Sequence, residues 1–175
     1  MGFLSWFAYK FTIKPRMEKL KNLLPKASIY PTGSRYTCNP PYWRTDVDFL
    51  VYSEEDVNTR IIKAGYRMSV LQYPVQAPCD FRSWRKGKVN LIVTSKEFFK
   101  DRHIIATHHC KIKNFIRKID RVAVHEFIRG PLPDHYDGTL NPFEFDRDTL
   151  NLIASINGPH GNTICQMYKI QHGLA

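Results

Sequence analysis

The chain has 175 residues, 43% hydrophobic and 13% aromatic, which excludes a disordered polyelectrolyte and allows one domain with an extension. Its formal net charge of +10 favours polyanionic partners: nucleoside triphosphates, nucleic acid or an anionic surface. Cys38, Cys79, Cys110 and Cys165 are widely spaced with no CxxC pair, which speaks against a zinc site or a disulfide framework and for reduced thiols in a cytoplasm.

In chain order, the apolar start Phe3-Leu4-Ser5-Trp6-Phe7-Ala8-Tyr9 is too short to span a bilayer and lacks the flanks of a signal peptide. Position 6 is Trp, where N-myristoylation at Gly2 wants Ser or Thr. These aromatics are expected to cover part of the core rather than to anchor the protein at a surface, and no membrane partner is expected. Pro15 followed by the amphipathic stretch 17–24 predicts a helix closed by Pro25. Residues 27–30 predict a short strand ending at Pro31, and 32–44 a loop rich in Gly, Pro and Asn. Residues 47–52 form a strong strand pattern. Ser53, with acids at 54–56, predicts the cap of a helix that carries Val57, Ile61, Ile62 and Ala64 and ends at Gly65.

Residues 81–93 read as a hairpin turning at Arg85-Lys86-Gly87-Lys88. Helices are expected over about 96–112 and 115–129, then a loop over 131–142 and two short helices over 147–156 and 163–171. The expected architecture is α+β: a small mixed β-sheet flanked by helices, with a helical C-terminal half. The expected division is a core over 1–95, a helical half over 96–130 packed on it, and a C-terminal extension over 131–175.

The chemistry concentrates between Gly33 and Asp48. Gly33 follows a strand, where a loop must let backbone N–H groups approach a ligand closely, and Ser34 adds a hydroxyl. Asp46 and Asp48 alternate along a strand, so their side chains share one face while Val47 and Phe49 take the other, towards the core. Two carboxylates ~4 Å apart repel by about 4 kcal/mol at an effective dielectric near 20. A divalent cation between them relieves that, and hard oxygen ligands suit Mg²⁺ bridged to a triphosphate. The competing structural reading of a D-x-D at a strand start is a solvated edge. The glycine-serine turn thirteen residues upstream, after a strand of its own, weakens that reading.

Gly33-Ser34 after one strand and Asp46-Val47-Asp48 opening the next resemble the signature of the DNA polymerase β-like nucleotidyltransferase superfamily, in an order of elements running from about 17 to 93. More narrowly, Tyr30-Pro31-Thr32-Gly33-Ser34-Arg35, Arg82-Ser83-Trp84-Arg85 and Asn90-Leu91-Ile92-Val93-Thr94 are similar to small nucleotidyltransferase-domain proteins of phages and bacteria, which implies a bacterial cytoplasm, the host's if the protein is phage-encoded. The resemblance implies a transfer of a nucleoside monophosphate from an NTP, ATP among the candidates, to RNA such as tRNA, to protein or to a small molecule. It implies Asp46 and Asp48 as ligands of Mg²⁺ or Mn²⁺ and Gly33 and Ser34 as the triphosphate turn.

One position departs from the superfamily pattern. The third carboxylate comes from a later strand, and the matching strand here, 89–93, offers Asn90. An amide cannot accept a proton at neutral pH, and loss of a general base typically costs about 10²–10⁴ in rate. Asn90 therefore takes the third catalytic position, and two outcomes stay open: a slow transferase, with Asp80 as a substitute carboxylate, or a non-catalytic nucleotide- or nucleic-acid-binding protein on the same fold. A module that retains only the fold for protein interaction is the third reading.

Arg35 follows the turn directly and is assigned to phosphate contact. Arg82 and Arg85, with Trp84, Lys86 and Lys88, suit either phosphate pairing with base stacking or a solvated hairpin with Trp84 in the core. Tyr42-Trp43-Arg44 suits either base stacking or loop packing. Lys111, Lys113, Arg117, Lys118 and Arg121 read as a solvated basic face ahead of a nucleic-acid track. His108, His109 and Cys110 adjoin and so point different ways, a poor metal cage.

Overall fold

The computed structural model describes residues 2–69, 81–118, 121–122 and 124–125. The chain divides into two compact units, Met1–Lys100 and Asp101–Ala175. The described part of the first is an α+β unit built on a mixed five-stranded sheet of order β1-β2-β5-β4-β3. Its strands are β1 (Ser28–Thr32), β2 (Val47–Tyr52), β3 (Arg67–Met68), β4 (Arg82–Lys86) and β5 (Val89–Thr94). The pairing of β2 with β5 is parallel, and the other three pairings are antiparallel.

Strand alternation sends one set of residues to a single face, although Leu50, Ser83 and Thr94 on the other face are buried as well. Val47, Phe49 and Val51 of β2, Trp84 of β4 and Leu91 and Val93 of β5 are buried in one cluster with Ile13, Leu20, Leu24 and Ile61 from the helices. Trp84 is therefore a core residue, which decides between the two readings of the hairpin aromatic. At about 25 cal/mol per Å² of apolar surface, each such side chain contributes roughly 1.5–3 kcal/mol. β1 runs through Pro31 to Thr32, beyond the end expected at Pro31. It is an edge strand, where a residue without an N–H is tolerated. The β4–β5 hairpin turns at Gly87 and Lys88, with positive φ (55°) at Gly87 alone, the pattern of a type II′ turn.

The N-terminal helix is longer than its sequence pattern suggests. α1 (Phe3–Ala8) continues through a π-helical turn, Tyr9–Ile13, into α2 (Lys14–Leu23). Pro15 cannot donate in the helical ladder and its ring crowds the carbonyl four residues back, and the wider π turn lies where that conflict falls. The helix seats itself with Ala8 and Ile13, both buried, so the aromatics of the first turns face outward: Phe3, Trp6, Phe7 and Phe11 are exposed. The expectation that they cover the core is corrected. Core contact is made by Ala8 and Ile13 and, among the rings, by the partly buried Tyr9, while Phe3, Trp6 and Phe7 stay outside.

The helix expected from Ser53 starts later. α4 spans Asn58–Lys63. The Ser53 N–H donates to Thr94 O at 3.1 Å, extending the sheet, and Asp56 Oδ1 accepts from both the backbone N (2.9 Å) and the side-chain amide (2.6 Å) of Asn58. Those local bonds compete with helical ones. The end at Gly65 (φ +85°) is as expected, with Gly65 N donating to Ile62 O at 2.9 Å and Tyr66 N to Ile61 O at 3.2 Å, a Schellman closure.

In the C-terminal unit, α5 (Glu97–Lys113), which begins just before the unit boundary, ends at Asn114 in positive φ (52°). Ile105, Ala106, Cys110 and Val124 are buried. Lys118, Arg121, Val122, Val124 and His125 are helical, and the helices expected beyond them lie outside the described residues. The Arg121 guanidinium donates to Phe115 O at 2.7 Å and to Ile116 O at 2.6 Å, and Arg117 stands outside a helix, so the two do not share an exposed helical face. No helix among the described residues is long and apolar enough to cross a membrane, and no group of three or more metal-ligating side chains forms among them.

Candidate functional site

The pairing registers bring the predicted residues together. Thr32 of β1 is opposite Asp48 of β2, Asp48 is opposite Asn90 of β5, and Asn90 is opposite Arg85 of β4. These residues form one row across the sheet, on the face opposite the core, because Phe49, Leu91 and Trp84 occupy the alternate positions. Asp46 stands two residues before Asp48, where alternation returns its side chain to the same face.

Gly33 closes β1 against this row. Its φ of 73° and ψ of 176° lie in a region open essentially to glycine alone. A Cβ built there would lie 2.0 Å from Asp48 Oδ2 and 2.7 Å from its Cγ, so the absence of a side chain is what lets the turn meet the carboxylate. The chain then makes one helical turn, α3 (Ser34–Thr37), in which Thr37 N (2.9 Å) and Thr37 Oγ1 (3.0 Å) both donate to Gly33 O. Ser34 Oγ donates to Thr45 Oγ1 at 3.0 Å, and Thr45 Oγ1 donates to Tyr42 O at 2.8 Å. The Gly33-Ser34 turn is thereby bonded directly to the loop that delivers Asp46.

Arg35 holds the same loop from beneath. Its side chain is buried and its Nη2 donates to the carbonyls of Trp43 and Thr45, while its Nε has no partner. Burial, and secondarily the nearby Arg16, holds the guanidinium below its ordinary pKa, with Asp46 and Asp48 pulling it back up. Arg35 therefore lies within electrostatic reach of both carboxylates, with its Nη2 donating to the loop backbone.

Asp46 and Asp48, both half-buried, have different partners. Arg85 Nη2 lies 3.0 Å from Asp46 Oδ1 and 3.0 Å from Asp46 Oδ2. Asp48 Oδ1 accepts from Asn90 Nδ2 at 3.0 Å, and Asn90 Oδ1 in turn accepts from Ser83 Oγ at 3.0 Å. Ser83 thus fixes the Asn90 amide with its NH₂ towards Asp48, the orientation assigned from this hydrogen-bond pattern. Arg85 and Arg35 offset the like charges of Asp46 and Asp48 without a metal, a balance that the sequence pattern of two acids did not reveal.

Arg82 is not brought into this group. It is opposite Val93, on Trp84's face of β4, while Ser83 and Arg85 take the alternate face. Asp80 lies outside the described residues. Sequence reasoning did not anticipate the roles of Ser83 and Thr45, both joined to the site by hydroxyl hydrogen bonds; strand alternation beside Trp84 was the available signal for Ser83.

No family model and no curated relative matches this chain. A solved structure similar to it is the crystal structure of the conserved protein GrpB from Enterococcus faecalis, at a TM-score of 0.46 and 13% identity, covering 93% of this chain and 92% of that one.

The donor set suits a hard divalent cation. Asp46 and Asp48 offer carboxylate oxygens on one side of the sheet, Asp48 Oδ2 beside the open glycine turn, and Arg85, half-exposed, can withdraw from Asp46. Asn90, as hydrogen-bonded here, offers its nitrogen to Asp48 and not its oxygen to an ion.

Proposed function

We propose that the Gly33-Ser34 turn and the Asp46/Asp48 pair form a divalent-cation-dependent site for a nucleoside triphosphate, and that the protein is a nucleotidyltransferase passing a nucleoside monophosphate to an acceptor. The observation that carries this reading is the approach of Gly33 to Asp48, which puts a side-chain-free turn against a half-buried carboxylate. Mg²⁺ or Mn²⁺ held by Asp46 and Asp48 would supply charge neutralisation at the triphosphate. Arg85, released from Asp46, would be placed to pair with a phosphate oxygen. An acceptor hydroxyl would attack the α-phosphorus as its proton passes to solvent, the bond from the α-phosphorus to the α–β bridging oxygen breaks, and pyrophosphate leaves.

A second reading has its own support. Asn90 is held by Ser83 as a donor to Asp48, and no third carboxylate joins the pair among the described residues. That arrangement binds a nucleotide without providing a base, as a sequestering or nucleic-acid-binding module would. Incubation with each labelled NTP, Mg²⁺ or Mn²⁺, and total cellular RNA and protein separates the readings. Label incorporated by the wild type and not by Asp46→Ala or Asp48→Ala supports transfer. Metal-dependent nucleotide binding with no pyrophosphate release from any acceptor supports the binder and rejects transfer.

A further inference from the structure

The start of the N-terminal helix carries an apolar surface that the nucleotide site does not use. Phe3 is 74% exposed, Phe11 53%, Trp6 43% and Phe7 41%, and Trp43 meets Phe7 edge-on with ring centroids 6.1 Å apart. These positions recur at helical spacing on the side of the helix opposite Ala8 and Ile13, so they form one patch rather than scattered exposed residues. Residues 1–26 carry Lys10, Lys14, Arg16, Lys19, Lys21 and Lys26 against the single acid Glu18.

We infer that this patch docks the protein on an anionic lipid surface, with the rings and Leu4 entering the headgroup–acyl boundary and the lysines meeting lipid phosphates and carboxylates. Three observations select that occupant. Aromatic and leucine side chains beside lysines on a helix lying along the protein surface are the composition of an interfacial helix. Lys10 Nζ sits 4.6 Å over the Trp6 ring, and Phe7 and Phe11 are tilted by 41° with centroids 4.5 Å apart, so the rings do not line up as a ladder of parallel faces on which successive bases could stack. The basic fringe, on a chain of net charge +10, would face itself across a symmetric contact with a second copy, which disfavours self-association. A charged surface of opposite sign satisfies both the rings and the lysines.

The test is co-sedimentation of the full chain with vesicles of phosphatidylcholine alone and with added phosphatidylserine, for the wild type, the Trp6→Ala/Phe7→Ala/Phe11→Ala variant and the Lys10→Glu/Lys14→Glu variant. Circular dichroism confirms that these surface variants fold. The wild type is expected to bind phosphatidylserine vesicles and to lose about tenfold or more in apparent affinity in the aromatic variant, since each ring withdraws a side chain's worth of apolar burial. The charge variant is expected to lose the preference for phosphatidylserine over phosphatidylcholine. Absence of wild-type binding to phosphatidylserine vesicles, or equal binding by the aromatic variant, overturns the inference. So does a patch-dependent alternative: single-stranded RNA binding or dimer formation in sedimentation that the aromatic variant abolishes while vesicle binding persists.

Discussion

Gly33 and Asp48 meet at the end of the first strand pair, where Thr32 is in register with Asp48 and the glycine that follows has no side chain to hold the carboxylate away. A Cβ at Gly33 would stand 2.0 Å from Asp48 Oδ2. Asp48 Oδ2 can swing aside, but Asp48 Cβ, 2.9 Å from the same point, is fixed to its strand, so side-chain rotation alone does not relieve the overlap.

Gly33→Ala is therefore expected to fail on two counts, a φ of 73° with ψ of 176° that alanine does not adopt and an overlap with Asp48. Together these are expected to cost about 2–4 kcal/mol of stability. Thermal and urea unfolding measure the loss, and nucleotide titration of the folded fraction is expected to show binding weakened or gone. A variant as stable as the wild type would show that the turn relaxes without strain.

Arg85→Ala tests the ion pair to Asp46. The pair is partly solvated, with side-chain exposures of 52% and 31%, so its removal is expected to change stability by less than about 1 kcal/mol. Freed of its competitor, Asp46 is expected to bind Mn²⁺ more tightly in calorimetry without nucleotide. With triphosphate present, the loss of a phosphate partner is expected to offset that gain. Unchanged metal affinity in the variant would mean that Asp46 is not a metal ligand.

Asn90→Asp supplies the carboxylate that the resemblance calls for. Without metal it replaces a 3.0 Å amide-to-carboxylate hydrogen bond with like charges, a repulsion of about 4 kcal/mol at 4 Å and an effective dielectric near 20. The melting temperature is expected to fall without metal and to recover on adding Mg²⁺ or Mn²⁺. If transfer is the activity, turnover is expected to rise by up to about 10²–10⁴, the usual worth of a general base. A variant destabilised equally with and without metal would place no cation between positions 48 and 90.

Arg35→Met and Arg82→Ala contrast two arginines that sequence reading placed together. Arg35 is buried and donates to Trp43 O and Thr45 O, so its loss orphans two part-buried carbonyls and is expected to cost about 1–3 kcal/mol. Arg82 is exposed on the opposite face from the carboxylates, and its loss is expected to change stability by under about 0.5 kcal/mol and to leave nucleotide affinity intact. Affinity lost in Arg82→Ala would contradict this placement.

What was legible in the chain was what strand alternation and turn chemistry write locally. Val47 and Phe49 in the core with Asp48 turned outward, the Gly87 hairpin and the Gly65 helix end each follow from a few adjacent residues. Asn90 could be matched to the acid pair only through the resemblance, whose third carboxylate comes from a later strand. The Arg85–Asp46 pair could not be read, since the residues lie 39 positions apart and only the β4–β5 register brings them together. Arg35 was assigned to phosphate contact because a cation beside a glycine turn suggests one; that its Nη2 donates to Trp43 O and Thr45 O depends on the path of the 38–45 loop, which local pattern does not give. The N-terminal rings were misplaced because helical spacing gives a face but not which side of it meets the sheet.

The most direct test of the nucleotide site is equilibrium binding of a nucleoside triphosphate with and without Mg²⁺, for the wild type and for Asp46→Asn/Asp48→Asn. The expected result is affinity that requires the cation in the wild type and is lost in the double variant, which keeps the shapes of both side chains and removes only their charge. Binding equally tight without the cation, or undiminished in the double variant, would contradict it.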